Sequence, residues 1–491
     1  MKRLWPALLF ALGCSAPASP RPMAGPSAGP TLNILLWFDT EDYLLPASDD
    51  AALRLAEFLT REGIRATFKV VGEKARTLER RGRKDVIEAL KKHEIGYHSN
   101  WHSVHPTPAQ YLSTLGWDEG VEEFLRREGP GYDDVKRIFG QSPSCYGQPG
   151  SSWGPQSFGA LRKLGIPVYM DDGSHVALDR KPHWFGGILT CFRLQYTLRT
   201  GLGGPDDLEK AKKSFAAARE KILADGGGTV HIYYHPCEWV HLQFWDGVNF
   251  ANGANPPREE WKLPPQKTPE QTRVAFETFE SYMKWLKTFP DVRILTARDV
   301  LALHPDRALD REFTEADVRE IAKAVGEEIG FQRRGDYALA PSEILVLLNR
   351  FVLSKTAPRL SSTPFGPGTP VTPLAEPVKT DWSQFTRTAK DVEAYVTRHG
   401  RIPPTVWLGS TGVPPEAWTR ALAEVSLALL DGKKPESVEV KPAKLATGKY
   451  VADDGPNIWG WLFPKGFHAP AMMELARRQA WTIKPAIPRQ P

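Results

Sequence analysis

Apolar and polar residues follow two alternating patterns over about residues 31–305. LNILLWFDT is a continuous apolar run that stops at acidic residues, which is typical of a buried parallel strand. The next segment, DDAALRLAEFLTREG, has the spacing of an amphipathic helix, with Asp49 or Asp50 available as N-cap and Gly63 as stop. Further strands are predicted at IRATFKVVG, EIGYHS, IPVYMDD, GTVHIYYHP and VRILTA, and helices at KDVIEALKKH, GPQSFGALRKLG and TRVAFETFESYMKWLKTF. Strands that alternate with helices predict an α/β domain with a parallel sheet.

The pattern changes after this domain, and residues 306–491 predict a smaller, mainly helical region. Two stretches, at about residues 311–353 and 384–430, each contain an FT dipeptide, a polar helix, a turn and an apolar helix that opens with proline. We therefore expect a degenerate internal repeat. No cluster of acids and histidines occurs here, so the region is expected to be either a wall- or glycan-binding module or a buttress packed on the first domain.

Residues 1–30 have the composition of an export signal followed by a tether. Lys2 and Arg3 precede an apolar run from Leu4 to Leu12, which is too short to span a bilayer. The ALGC that follows resembles a bacterial lipobox with Cys14 as the lipidated residue. We expect an exported bacterial protein, either a cell-envelope lipoprotein or secreted, whose membrane contact is limited to this anchor.

The charge of the chain bears on whether it binds nucleic acid, and its cysteines bear on whether it forms disulfides or cysteine metal sites. The net charge of +5 comes from 63 basic and 58 acidic residues of interspersed sign, so a nucleic acid partner is not expected. Besides Cys14 the chain has Cys145, Cys191 and Cys237, without CxxC spacing. They allow at most one internal disulfide, and three buried thiols are favoured.

Three histidines crowd into EIGYHSNWHSVHP, at His98, His102 and His105. His98 and His102 are four residues apart, so in a helical turn both rings would lie on one face and reach one metal ion. His105 follows His98 by seven residues, about 10 Å along a helix axis, which is too far for the same ion. We expect His105 to be part of the loop or an outer partner.

Acidic residues at the end of the first strand, in WFDTED, offer a third ligand to the metal. Period-two alternation places Asp39 and Glu41 on one face and favours Glu41 as the ligand. A bend after Thr40 would favour Asp42 instead. Both acids therefore remain candidates at this stage.

WFDTED, ATFKVVG, HSNWH within EIGYHS, YGQPGSSWGPQSFGALRKLG, YYHPCE and VRILTA occur in this order over about residues 32–303. The ordered set resembles the motifs of the polysaccharide deacetylases, carbohydrate esterase family four. The resemblance implies a distorted parallel (β/α) barrel whose strand ends carry the chemistry. It also implies a hydrolase that uses a divalent metal, with zinc expected, to remove N-acetyl groups from an extracellular or cell-wall polysaccharide.

The resemblance also assigns roles to individual residues. Asp39 matches the general base, His98 and His102 match the metal-binding histidines, and His235 matches the general acid. The common third motif is Arg-Pro-Pro, whereas this chain has Gln148 and Pro149 with a glycine on either side. Since glutamine carries no charge, another group must support Asp39.

We expect that support from Arg193 or Arg258, with Asp171 and Asp172 near the partner acid of the family. The segment after His235 is rich in aromatic residues, which are either platforms for sugar rings or packed side chains of a long loop. The expected substrate-binding residues are Gln148, Pro149, Asp171, Asp172, Trp239 and Trp245.

Two other functions stay open on the sequence alone. The missing arginine of the third motif motivates a barrel that binds glycans without catalysis. Relatives of the fold also act on small cyclic amides, so hydrolysis of a different non-peptide C–N bond is a further alternative.

Overall fold

The computed structural model describes residues 29–309, 311–356 and 358–489. The expected export signal and the candidate lipidation site Cys14 lie outside the described residues. Within them, no helix is long and apolar enough to cross a membrane. Cys145, Cys191 and Cys237 are buried and free, as favoured from the sequence.

Strands and helices alternate through the first domain. Its strands are β1 (Leu32–Thr40), β2 (Thr67–Val70), β3 (Glu94–Tyr97), β4 (Cys145–Tyr146), β5 (Val168–Met170), β6 (His183–Phe185), β7 (Ile188–Cys191), β8 (Gly228–Tyr234) and β9 (Val292–Leu295). Its helices are α1 (Pro46–Arg61), α2 (Gly72–Arg80), α3 (Lys84–Leu90), α4 (Pro108–Leu112), α5 (Trp117–Phe139), α6 (Gln156–Leu164), α7 (Pro205–Ala224), α8 (Gly247–Phe250), α9 (Pro269–Leu286) and α10 (Ala297–Leu303).

The remaining elements follow residue 305. The helices are α11 (Glu315–Lys323), α12 (Pro341–Ser354), α13 (Trp382–His399), α14 (Pro415–Leu430), α15 (Pro456–Trp459) and α16 (Pro470–Gln479). The strands are β10 (Glu328–Ile329), β11 (Gln332–Arg334), β12 (Tyr337–Leu339), β13 (Val378–Asp381), β14 (Val406–Leu408), β15 (Thr411–Val413), β16 (Ser437–Val440), β17 (Lys444–Leu445) and β18 (Lys484–Pro485). Short 3-10 turns cover Pro236–Trp239, Ala251–Gly253, Arg258–Glu260, Thr447–Tyr450 and Ala480–Thr482.

One curled, mixed sheet organises the first domain. Its strand order is β18-β6-β7-β5-β4-β3-β2-β1-β8, and β9 pairs with the first half of β1. The pairs from β8 across to β7 are parallel, as predicted, whereas β6 and β18 are antiparallel additions at one edge. The antiparallel pair arises because Gly186 and Gly187, both at positive φ, form a two-residue hairpin between β6 and β7. The result is a half-barrel of mixed strands, which agrees with the expected distorted α/β barrel in its parallel strands and differs from it at this antiparallel edge.

β1 is buried along its whole length, and its two faces pack into different clusters. Ile34 and Phe38 belong to the large cluster that includes the surrounding helices. Leu35 and Trp37 point the other way, into the cluster that contains Val168 of β5. Alternation along the strand therefore directs the next odd-numbered side chain, that of Asp39, to this second face at the carboxyl end of the sheet.

The two stretches proposed as a repeat have the same order of elements. The first runs from α11 through the β11–β12 hairpin to α12, and the second from α13 through the β14–β15 hairpin to α14. Both second helices begin with proline at the first turn. The region is helical with small antiparallel hairpins, which the sequence prediction lacked.

The last forty or so described residues pack against the first domain, as the buttress alternative expected for part of the region 306–491. Trp459, Leu462, Met473 and Ile483 belong to the hydrophobic cluster of the half-barrel. A separate cluster gathers the apolar side chains of α11 to α14. β18 also pairs with β6, so the end of the chain returns to the first domain and adds a strand to its sheet.

Candidate metal and catalytic site

The carboxyl ends of β1, β3 and β8 meet at a cavity of about 540 Å³. Polar residues that follow β1, β3, β4, β5 and β8 contribute to its lining, because parallel strands present their carboxyl ends at the same edge of a sheet. The lining includes Asp39, Glu41, His98, His102, Gln148, Asp171, Asp172 and His235.

Glu41, His98 and His102 form a buried group whose ligand atoms all lie within 4.8 Å of one another. Glu41 Oε2 is 3.2 Å from His98 Nε2 and 2.8 Å from His102 Nε2. His98 donates from Nδ1 to the Gly147 carbonyl at 2.9 Å, and His102 Nδ1 contacts Ser103 Oγ at 2.8 Å. Because each Nδ1 is engaged elsewhere, both Nε2 atoms are directed at the carboxylate. Two imidazoles and one carboxylate fit a divalent cation such as zinc.

The two acids left open by the sequence have different environments. Glu41 Oε1 accepts a hydrogen bond from the indole N–H of Trp245 at 2.9 Å, which orients its carboxylate toward the histidines. Asp42 turns toward the start of α1, where it accepts from the Leu44 N–H at 2.8 Å and lies 3.3 Å from His241 Nε2. Its carboxylate is engaged in that capping network, so the geometry favours Glu41 over Asp42 as the third ligand.

The segment that carries the histidines is a turn and not the helical turn assumed from their spacing. Ser99 and His102 both have left-handed backbones, with φ of +65° and +57°. Ser99 Oγ accepts the backbone N–H of His102 at 3.0 Å, which stabilises this conformation. Left-handed non-glycine residues are costly and cluster at functional sites. His105 lies outside the group, and its Nδ1 contacts Gln110 Oε1 at 2.6 Å.

Asp39 pairs with a buried lysine that sequence reasoning missed. Lys69 of β2 has a fully buried side chain, and its Nζ lies 2.9 Å from Asp39 Oδ1 and 3.6 Å from Asp171 Oδ2. The ammonium also donates to the Met170 carbonyl at 2.8 Å. Burial alone would raise the pKa of Asp39, but His98, Lys69 and His235 together hold this pKa below its ordinary value.

Neither arginine expected to support Asp39 contacts it. Arg258 lies 3.3 Å from Glu73 Oε1, and Arg193 is exposed after β7. The positive charge instead comes from Lys69 in the second strand. A lysine within an apolar strand run was the signal in the sequence, since such a residue is rarely buried without a partner.

Two glycines make room for Lys69. A Cβ built on Gly147 would approach Lys69 Nζ within 2.2 Å, and one built on Gly96 would approach Lys69 Cγ within 2.8 Å. Real side chains do not tolerate such distances, so any larger residue at position 147 would displace the lysine. The glycine in the third motif and the lysine in the second strand are thus sterically linked.

His235 faces Asp39 from the end of β8. Its Nε2 is 3.6 Å from Asp39 Oδ2, and its Nδ1 donates to Glu238 Oε1 at 2.7 Å. Arg199 pairs with the other oxygen of Glu238. Burial would lower the pKa of His235, but the carboxylates of Glu41, Glu238 and Asp39 raise this pKa to about 9. These carboxylates favour the protonated ring, which is the form that can donate a proton.

The remaining predicted substrate residues divide between cavity and core. Gln148, Asp171 and Asp172 line the cavity, and Gln148 Nε2 has no hydrogen-bond partner among the described residues. Pro149 is buried beside the cavity but does not line it. Trp239 and Trp245 are fully buried, which corrects their assignment as platforms for sugar rings. Trp239 packs in the core, whereas Trp245 acts on Glu41 through its N–H.

Three solved structures illustrate what this chain is similar to. One, described as a probable polysaccharide deacetylase from Pseudomonas aeruginosa PAO1, is 13% identical, with 56% of this chain and 92% of that chain covered and a TM-score of 0.38. The PuuE allantoinase is 14% identical, with coverages of 56% and 91% and a TM-score of 0.36. A mutant of the peptidoglycan deacetylase PdaC from Bacillus subtilis is 16% identical, with coverages of 55% and 91% and a TM-score of 0.27.

No protein-family model matches the chain, and no curated protein matches it. The likeness to solved structures covers little more than half of the chain, at low identity and low TM-score. It includes deacetylases and an allantoinase, and it assigns no activity to this chain. The chemistry of the site must be argued from its own residues.

Proposed function

We propose that this protein is a metal-dependent hydrolase that removes N-acetyl groups from an extracellular or cell-wall polysaccharide. One observation carries the proposal: a cluster of two histidines and one carboxylate, a buried aspartate and a histidine with a raised pKa line the same cavity. Metal-assisted amide hydrolysis uses a Lewis acid, a base for water and an acid for the leaving amine. The cavity offers a candidate for each of these.

Glu41, His98 and His102 would hold the divalent cation, with zinc expected for this set of ligands. When bound, the cation supplies Lewis acidity to the amide carbonyl and to water. Asp39 Oδ1 lies 4.0 Å from His98 Nε2, which puts its carboxylate within reach of water at the cluster. Held ionised by its neighbours, Asp39 accepts the proton that the attacking water loses as the new C–O bond forms.

His235 completes the reaction on the opposite side of Asp39. Its imidazolium donates the Nε2 proton to the nitrogen of the leaving amine as the C–N bond breaks, giving acetate and a free amine. Glu238 and Arg199 hold the ring by its Nδ1 side, so Nε2 faces the cavity. The 3.6 Å between His235 Nε2 and Asp39 Oδ2 keeps acid and base in contact with the same reacting centre.

The presence of Lys69 favours the hypothesis of an active enzyme over the alternative of a barrel that binds glycans without catalysis. The missing arginine of the third motif was the reason for the inactive alternative. A fully buried ammonium at 2.9 Å from Asp39 supplies the same charge from another strand. A buried lysine is costly unless it is paired, so its presence beside Asp39 argues for a retained role.

The glycan substrate and the location are proposed on the sequence. Residues 1–30 resemble an export signal with a lipidation site, which would bring the enzyme to the cell envelope or beyond it. Polysaccharides with N-acetyl groups are the amides that such an enzyme would meet there.

The proposal is tested by acetate release and by metal content. Purified protein is expected to contain about one zinc per chain and to release acetate from chitin oligomers, peptidoglycan or poly-N-acetylglucosamine. His98→Ala and His102→Ala should lose most of the metal and the activity, because each removes one of three ligands. His105→Ala is the matched control, since this histidine lies in the same turn but outside the cluster.

Each outcome has a distinct meaning. A chelator that leaves acetate release unchanged would refute the metal role. Stoichiometric zinc without turnover on any acetylated glycan would favour the inactive barrel. Turnover of small cyclic amides but of no glycan would favour the alternative C–N hydrolase.

A further inference from the structure

We infer that the segment 456–464 of the C-terminal region completes a cleft for an oligosaccharide, with Trp461 as a platform on which a sugar ring stacks beside the metal cluster. The inference rests on the proposed function, because it names the size and shape of the substrate of that same site. It assigns a binding role to a region that carries no candidate catalytic residue.

Trp461 is exposed in a way that its neighbours are not. Its side chain is 45% exposed, whereas Trp459, Leu462 and Phe463 on either side are buried. Five large apolar residues are well exposed among the described residues, and Trp461 is the one that lines the cavity of the metal cluster. The five are Trp101, Leu242, Leu263, Trp407 and Trp461.

The backbone around Trp461 is held in place from two sides. The Asn252 N–H donates to the Trp461 carbonyl at 2.8 Å, and the Gly253 N–H donates to the Leu462 carbonyl at 3.0 Å. On the other side, a Cβ on Gly460 would lie 3.0 Å from Ser151 Oγ, so the chain passes close to the loop after β4. An indole fixed at the rim by buried neighbours and two backbone bonds loses little entropy when it binds a ligand.

The lining of the cavity offers both polar groups and an aromatic surface, and a pyranose ring has a polar edge and an apolar face that can pair with them. Carboxylates and imidazoles supply hydrogen-bonding groups, and Gln148 Nε2 and Asp246 Oδ1 are buried polar atoms without a partner among the described residues. A sugar offers hydroxyl groups around its edge and an apolar face of C–H bonds. That face packs on an aromatic ring, whose negative π-face attracts the positive C–H groups.

The cleft continues beyond the single sugar that would be deacetylated. A second cavity of about 450 Å³ shares Tyr233, His235 and Phe244 with the first. It extends past His235 to the exposed Leu242. Either cavity has the volume of a site for a whole small ligand, so the two together suit a chain of several sugars.

Binding and kinetics with β-1,4-linked N-acetylglucosamine oligomers test the inference. Trp461→Ala is expected to raise KM for the pentamer about three- to tenfold, as expected for the loss of one stacking contact. The kcat and the hydrolysis of a small acetanilide should stay within about twofold, since neither needs the platform. Trp461→Phe should restore most of the affinity.

Trp407→Ala is the matched control, because Trp407 is also in the C-terminal region and is even more exposed, at 59%, but lines no part of the cleft. It should leave KM for the pentamer unchanged. Equal KM values for wild type and Trp461→Ala, or a fall in kcat on every substrate with KM unchanged, would overturn the inference.

Direct binding separates this inference from the proposed function. Calorimetry on Asp39→Asn protein, which cannot use Asp39 as the base, measures pentamer affinity without turnover. The pentamer should bind more tightly than the monomer, and the additional change Trp461→Ala should remove most of that difference. A pentamer that binds no better than the monomer counts against the cleft, even if the wild-type enzyme releases acetate. If pentamer binding depends on Trp461 but the wild-type protein releases no acetate from any substrate, the cleft is supported and the proposed enzymatic function is refuted.

Discussion

A single buried residue, Lys69, changes how the candidate site is understood. The motif comparison located the missing positive charge in the loop after β4 and suggested Arg193 or Arg258 as replacements. The structure instead brings the charge from β2, through a side chain that reaches Asp39 and Asp171 at once. Sequence comparison by motif could not find it, because a compensating residue on another strand has no fixed spacing to the lost one.

Replacing Lys69 tests its effect on Asp39. Lys69→Met removes the ammonium at similar length, so we expect kcat to fall roughly a hundredfold, within the usual contribution of a general base. Metal content should stay the same, because Lys69 is not a ligand. Without its neighbouring cation the pKa of Asp39 rises, so the acidic limb of the rate profile should move to higher pH.

Lys484→Met controls for the loss of a buried lysine as such. Lys484 is equally buried, and its Nζ pairs with Asp306 and Glu343 at 2.7 Å, with no contact to the cavity. This variant should lower the melting temperature but leave the pH profile in place. If the acidic limb of the pH–rate profile stays in place in folded Lys69→Met protein, Lys69 does not lower the pKa of Asp39 and its proposed role is contradicted.

Together with Glu41, Glu238 raises the pKa of His235 and therefore affects the alkaline limb of the pH–rate profile. The carboxylate stabilises the imidazolium through the 2.7 Å contact at Nδ1, which contributes to a pKa of about 9. The protonated ring is the form that donates, so activity should decline at alkaline pH, where His235 loses this proton. Glu238→Gln removes the charge and lowers the pKa of His235, and the alkaline limb should shift to lower pH.

The measurement is kcat against pH for wild type and Glu238→Gln. Glu277→Gln is a suitable control, because Glu277 is exposed on α9, outside the cavity lining, and pairs with Arg273. A limb that stays in place in the Glu238 variant would mean that His235 is not the proton donor.

At the scale of elements, the strand ends were predictable and the connections were not. A continuous apolar run located β1, and short strand segments that end in histidine located β3 and β8, which together indicated Asp39, His98 and His235. The turn of the histidines depends on left-handed residues at Ser99 and His102, which no periodicity indicates.

Helix α5 shows why the connections were hard to predict. It continues through Pro130, although a Gly-Pro-Gly sequence normally marks a turn. A Cβ on Gly131 would lie 2.7 Å from the Tyr97 hydroxyl and from Asn100 Oδ1, so close packing of this helix on the strand end requires the glycine. Tertiary contact overrides the local preference here, and only the folded arrangement shows it.

The end of β4 offers a test of the steric link between the third motif and Lys69. Gly147→Ala adds one methyl group where a Cβ would lie 2.2 Å from Lys69 Nζ. We expect the ammonium to move away from Asp39 and kcat to fall roughly tenfold or more, with the metal retained.

Gly326→Ala is the control for a glycine-to-alanine change, since no atom lies within 4 Å of the added Cβ and its backbone is not left-handed. It should keep full activity and melting temperature. Full activity in Gly147→Ala would mean that the lysine adapts and that the glycine is not needed for its placement.

At the scale of the whole molecule, the chain leaves the half-barrel and returns to it. Residues after 305 first build a separate cluster from α11 to α14, and the final segment then joins the core of the first domain. The sequence could not indicate this, because amphipathic helices bury an apolar face without specifying which partner covers it. Both Trp461 at the cleft and β18 at the sheet edge depend on that return.

Truncation distinguishes a returning chain from an attached module. A protein limited to residues 29–305 would lose Trp459, Leu462, Met473 and Ile483 from the core, each at most 1% exposed. At about 1.5–3 kcal/mol per buried side chain, their loss removes on the order of 10 kcal/mol. That is comparable to the whole free energy of unfolding of an ordinary domain.

We therefore expect the truncated protein to be insoluble or to unfold without a cooperative transition, whereas residues 29–489 fold and bind metal. Circular dichroism during heating and metal content after purification measure both properties. A fragment 29–305 that melts cooperatively and keeps its zinc would show that the C-terminal region is a separable module. Its return to the half-barrel would then be unnecessary for the fold, and Trp461 could be tested by adding the missing region as a second chain.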